Sequence, residues 1–174
     1  MLFMGSPEVS VPFLDFAYSK SSEMIVFTQK DKIRKRGKAL EPTPVKKRAL
    51  ELGITVHTTS AKSSLSINII KDFQPDIILV VAFGQILPPE LLAIPKLYPL
   101  NVHFSLLPQY RGATPVNTAL LNGDSVTGTT IMVMDQGLDT GDILYSDECT
   151  IDPDDNATEL FRKLTKLSLG LLER

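Results

Sequence analysis

Cysteine is nearly absent: Cys149 is the one thiol in 174 residues, so the chain can close no intrachain disulfide and build no thiolate metal site. Long apolar runs are missing too. The longest, Ile77 to Phe83, has seven residues, against the roughly 20 that a helix needs to cross a bilayer. The N-terminus shows no basic stretch leading into a long apolar one, and with the lone cysteine this makes a reducing cytoplasm the expected compartment. A glycine-rich phosphate turn is also lacking. After the first apolar segment only Gly5 occurs, followed by Ser6-Pro7, whereas G-x-G-x-x-G uses its glycines to bring the backbone against a pyrophosphate. Dinucleotide binding is therefore disfavoured, and no Walker-type loop replaces it.

What is present is ordinary for a globular domain: 43% hydrophobic and 22% charged residues, enough for a core and too apolar for disorder. The length suits a single domain. Charge, by contrast, is unevenly placed. Residues 30–48 hold nine of the 18 basic residues and only Asp31 and Glu41 of the 20 acids, while Gly112 to Phe161 contains no Lys or Arg and ten acids fall between Asp124 and Glu159. The basic segment is thus +7 and the remainder −9. A solvated run and a cationic loop aimed at a polyanion both fit that pattern.

Apolar periodicity alternates between strand and helix. Short strands are predicted at Leu2 to Met4, Met24 to Thr28, Ile54 to Thr58, Asp76 to Phe83, Leu100 to Phe104, Thr129 to Met134 and Ile143 to Ile151. Helices are predicted over Val9 to Tyr18, Val45 to Leu52, Ser64 to Phe73, Pro89 to Ala93, Thr114 to Leu121 and Ala157 to Leu172. The basic stretch with Gly37, Pro42 and Pro44 reads as a loop. Asp76 to Phe83 is, after its first residue, apolar without alternation, as in a strand covered on both faces by helices. The expected fold class is α/β, an open, mostly parallel, Rossmann-like sheet with helices on both faces.

Two places concentrate chemistry. Asn101 and His103 lie at the C-terminal end of a predicted strand, where ligand crevices open in such folds, and alternation puts both on one face. An amide can donate to a developing oxyanion, and an imidazole can move a proton near neutral pH; a turn residue beside a satisfied histidine is the plainer reading. Asp135 to Asp142 packs three carboxylates and two glycines into eight residues. Turns favour Asp and Gly for backbone reasons alone, yet an aspartate is also the natural partner for His103.

The run Asn101-Val-His103-Phe-Ser-Leu-Leu-Pro-Gln-Tyr-Arg-Gly112, followed by Asp139 within Gly-Leu-Asp-Thr-Gly-Asp, resembles the folate-dependent formyltransferases, and more narrowly the catalytic domain of those acting on methionyl-tRNA. Phe3-Met-Gly-Ser-Pro7, Arg36 to Val45 and Ala82-Phe-Gly-Gln-Ile-Leu-Pro88 match the same family, so the resemblance runs through essentially the whole chain. It implies transfer of a formyl group from 10-formyltetrahydrofolate, a co-substrate, to the α-amino group of methionine carried by initiator tRNA, with no metal. Asn101 would bond the oxyanion. His103 would support it or relay the proton, and Asp139 would hold the histidine's charge or accept the proton through water.

The resemblance further implies that Ser105, Leu106, Leu107 and Pro108, with Ile86, Leu87 and Pro88, contact folate, and that Arg34, Lys35, Arg36 and Lys38 contact tRNA in the basic loop. Gln29-Lys30-Asp31-Lys32 departs from the family pattern, lacking the proline after the glutamine. Residues 1–174 correspond to the catalytic domain, and nothing in them corresponds to the C-terminal β-barrel of the full-length enzymes; a monomer is expected, bound to no membrane. A sugar-nucleotide N-formyltransferase would share the triad without needing a +7 loop, and a non-catalytic RNA-binding module would keep the loop without needing the triad.

Overall fold

The structure, a computed structural model, describes residues 1–33 and 40–174. The chain divides into two compact units, Met1–Pro99 and Leu100–Arg174.

In the first unit a strand, β1 (Leu2–Gly5), leads through a 3-10 turn at Glu8–Ser10 into the helix α1 (Val11–Ser19). There follow β2 (Ile25–Phe27), the two-residue strands β3 (Lys32–Ile33) and β4 (Leu40–Glu41), α2 (Pro44–Glu51), β5 (Thr55–His57), α3 (Ser64–Phe73), β6 (Ile77–Val81) and α4 (Pro89–Leu92). The strands β5, β2, β1 and β6 lie side by side in that order, all parallel, with Phe3 opposite Val26 on one side and Leu79 on the other. Phe3, Phe13, Phe27 and Ile78 are fully enclosed, and each contributes about 1.5–3 kcal/mol by leaving water. This burial is the physical reason for the unbroken apolar character of Ile77 to Val81.

Helix starts follow local chemistry. Thr43 caps α2 by accepting from the Lys46 N–H at 3.1 Å, with Pro44 at the first helical position, where a missing N–H costs nothing. Ser63 caps α3 in the same way, accepting from Ser66. One element differs from expectation: the basic stretch with loop character is bracketed by the antiparallel pair β3 and β4, Ile33 opposite Leu40.

The second unit holds β7 (Tyr98–His103) from Leu100 onward, then α5 (Pro115–Asn122), β8 (Val126–Val133), β9 (Ile143–Thr150) and α6 (Ala157–Leu172). Here pairing is antiparallel: Asn101 stands opposite Met132, His103 opposite Thr130, and Thr129 opposite Asp147. α6 packs on β8, β9 and α5, burying Leu160, Leu164 and Leu171 along one stripe. It begins with a full capping box, in which Asn156 accepts from Thr158 and Glu159 and the Glu159 carboxylate accepts from the Asn156 N–H, worth about 1 kcal/mol. From within the helix Lys163 clasps Asp152 and Asp155, which precede it and raise its ammonium to about 12. β9 bonds to β8 and to no other described strand, and it exposes Ile143, Leu144 and Tyr145 by 47%, 42% and 41%. No helix among the described residues is long and apolar enough to cross a membrane.

Candidate active site

His103 ends β7 and is buried, 5% exposed. Its main chain is held from behind: Thr129 Oγ1 donates to the His103 carbonyl at 3.2 Å and meets Ser168 Oγ of α6 at 2.7 Å. Its ring lies between two acceptors. Nε2 is 2.9 Å from the carbonyl oxygen of Tyr110, and because a carbonyl only accepts, Nε2 carries the proton that makes this bond. Nδ1 faces Asp139 Oδ2 at 3.6 Å, just beyond direct hydrogen-bond length. The Asp139 carboxylate, its side chain only 13% exposed, is oriented by the Gly112 N–H, which donates to it at 2.7 Å.

The backbone here adopts conformations that side chains resist. Tyr110 and Asp139 have φ of +53° and +51°, and Gly112 has +104°. A left-handed tyrosine is uncommon, and such residues persist where surroundings over-determine them. At Gly112 no other residue type would sit without strain.

Asn101 shares the His103 face of β7, two residues earlier. It is half-buried, and its amide has no hydrogen-bond partner among the described residues, so its N–H₂ is available. The structure divides two of the three acids of Asp135 to Asp142 between the two readings of that segment. Asp135 organises the turn, accepting from the Gly137 N–H at 2.9 Å and Thr140 Oγ1 at 2.7 Å; Asp139 faces the histidine.

The Ser105 to Pro108 segment is pinned from within. Thr130, fully buried, donates to the Ser105 carbonyl at 2.7 Å and accepts from the Leu107 N–H at 3.2 Å, while Ser105 Oγ donates to the Gln109 carbonyl at 2.6 Å. Ser105 is enclosed and Pro108 exposed. Leu106 packs against β8 at Gly128, where an added Cβ would collide with it and with the Asp147 carbonyl. In the first unit Ile86 is 69% exposed and Leu87 buried. Arg34, Lys35, Arg36 and Lys38 lie outside the described residues.

Sequence reasoning assigns no role to Tyr110, Gly112 or Thr130, whose contributions run through a backbone carbonyl, a backbone N–H and a hydroxyl. It also passes over a cavity of about 840 Å³ in the first unit, at the carboxyl ends of β1, β2 and β6, lined by Ser6, Gln29, Thr43, Lys47 and Ala82 among others. Ala82, with φ of +47°, and the position of this crevice beyond parallel strand ends are the signals that mark it.

A buried histidine between a backbone carbonyl and an aspartate, beside an asparagine with no partner among the described residues, sets a group that can hold a proton next to an amide that can donate a hydrogen bond. The chain belongs to the formyl transferase family, whose sequence pattern it matches over residues 3–173. It is 46% identical to the methionyl-tRNA formyltransferase of Clostridioides difficile strain 630, over 99% of this chain and 57% of that protein, and 46% identical to that of Geobacter sulfurreducens over 99% and 55%. It thus spans little more than half the length of these relatives. Among solved structures, the phosphoribosylglycinamide formyltransferase of Streptococcus pneumoniae superposes with a TM-score of 0.77 at 19% identity, covering 98% of this chain and 93% of that one. WlaRD, a sugar 3N-formyl transferase solved in the presence of dTDP and 5-N-formyl-THF, gives 0.72 at 24%, covering 99% and 59%. These likenesses establish the α/β, Rossmann-like formyltransferase fold.

Proposed function

We propose that the protein transfers the formyl group of 10-formyltetrahydrofolate to the α-amino group of methionine esterified to initiator tRNA. The neutral amine attacks the formyl carbon, the carbonyl oxygen becomes an oxyanion, the bond from carbon to N10 breaks, and a proton passes from the amine nitrogen to N10, leaving tetrahydrofolate and the formamide. Asn101 donates to the oxyanion. His103 relays the proton: with its Nε2–H committed to Tyr110, the unprotonated Nδ1 takes the proton released by the attacking amine and passes it on toward N10, and the Asp139 carboxylate beside it holds the charge of the imidazolium or accepts the proton through one water. The observation that carries this reading is the placement of Asp139 against Nδ1 of a buried histidine on the strand that presents Asn101.

Folate is assigned to the Ser105 to Pro108 and Asp135 to Asp142 segments and to Ile86, Leu87 and Pro88. Arg34, Lys35, Arg36 and Lys38 are assigned to tRNA phosphates. The choice of amine follows the relatives' names and the +7 segment.

The test is turnover: the 174-residue chain with 10-formyltetrahydrofolate and methionyl initiator tRNA should yield formylmethionyl-tRNA, with hydrogen exchange slowed by a folate analogue at the three folate segments. Formylation of an aminosugar nucleotide, with none of the tRNA, would replace this reading by the sugar-directed one.

A further inference from the structure

Outside the three residues that face the reaction, the side chain of Tyr110 is secured in a way the chemistry above leaves unexplained. Its hydroxyl donates to Asp124 Oδ2 at 2.5 Å and accepts from Asn122 Nδ2 at 3.0 Å. Both partners flank the turn that ends α5, where Gly123 takes the left-handed conformation and the Asp124 N–H bonds back to the Ala119 carbonyl. The phenol therefore ties a strained residue to the end of a helix.

A left-handed tyrosine has no local reason to hold that backbone. What it gains is direction: with φ at +53° the Tyr110 carbonyl points at His103 Nε2. An imidazole has two neutral tautomers, chosen by the partner of each nitrogen. An acceptor at Nε2 selects the Nε2–H form and leaves the Nδ1 lone pair toward Asp139. Release of the carbonyl would let Asp139 draw the proton to Nδ1, since a carboxylate is the stronger acceptor.

We infer that Tyr110, anchored through its hydroxyl by Asp124 and Asn122, is a positioning residue that fixes the tautomer and orientation of His103. This rests on the formyl-transfer reading only for its consequence in turnover; the tautomer itself is a property of the resting protein.

The experiment is nitrogen NMR of the histidine rings in the 174-residue chain. Only His57 and His103 occur, and His57 lies in the other unit, so it serves as an internal reference. In the parent, neutral His103 should carry its proton on Nε2. Tyr110→Phe and Asp124→Ala should each shift population to the Nδ1–H form while His57 stays unchanged, and lower turnover by roughly ten- to a hundredfold, the range for losing a partner that orients a functional histidine. Asp124→Asn, which keeps an acceptor oxygen for the phenol, should retain the Nε2–H form. If His103 kept one tautomer in both Tyr110→Phe and Asp124→Ala, the inference would be overturned whatever happened to turnover. A tautomer shift in a protein that formylates nothing would uphold it and remove the formyl-transfer reading instead.

Discussion

His103 Nδ1 and Asp139 face each other at 3.6 Å, too far for a direct bond, while Asn101 beside them has an amide with no partner among the described residues. That contrast sets a prediction. Under the proposed roles Asn101→Ala removes one oxyanion donor from a half-buried position, so turnover should fall by about 10²–10³ with the substrate KM little changed and the melting temperature close to the parent's; steady-state kinetics and calorimetry decide it. An equal loss in KM would assign Asn101 to ground-state binding. Asn101 and His103 are legible in the sequence because two-residue spacing on a strand puts side chains on one face, and Asp139 because its family pattern is intact. The Tyr110 carbonyl and the Gly112 N–H are not, since every residue offers a main-chain carbonyl and almost every one an N–H, and only folding says which point at a ring.

Strand β5 presents His57 to Phe27 of β2, ring centroids 4.9 Å apart and stacked. Burial holds this imidazole below its ordinary 6.5. Between that depressed folded value and 6.5 the unfolded chain binds more protons, so stability rises with pH across the window, is complete above about 6.5, and is lost as pH falls through the folded value. Melting temperatures from pH 7.5 down to 5 should therefore decline, with a shallower slope in His57→Gln; parallel slopes would count against the assignment. Most elements are readable from periodicity, α6 best of all because its apolar stripe and Asn156 cap agree. For β8 the apolar pattern begins only at Thr129, whereas the strand starts at Val126: Gly128 interrupts the strand signal, and the close approach of Leu106 that makes it useful is a tertiary fact. The β3 and β4 pair escapes because two residues are too few for a period to register.

Across the whole molecule charge is segregated, and the segregation is testable without locating each side chain. Replacing Arg34, Lys35 and Arg36 by alanine should weaken tRNA binding and reduce its logarithmic salt slope by up to about 3, one for each phosphate no longer neutralised, while folate titration stays as in the parent. Filter binding over a salt series measures both. An unchanged affinity at low salt would leave the segment a solvated run. The acidic remainder has a different use. β9 leaves one edge without a strand partner among the described residues and shows Ile143, Leu144 and Tyr145 to solvent, which is the template on which chains add to one another. Asp147 and Glu148, next along the same strand, place like charges where a second copy would have to pair. How concentrated the protein can be made before it clouds is then governed by two carboxylates. Asp147→Asn with Glu148→Gln should bring on light scattering at concentrations where the parent solution is clear.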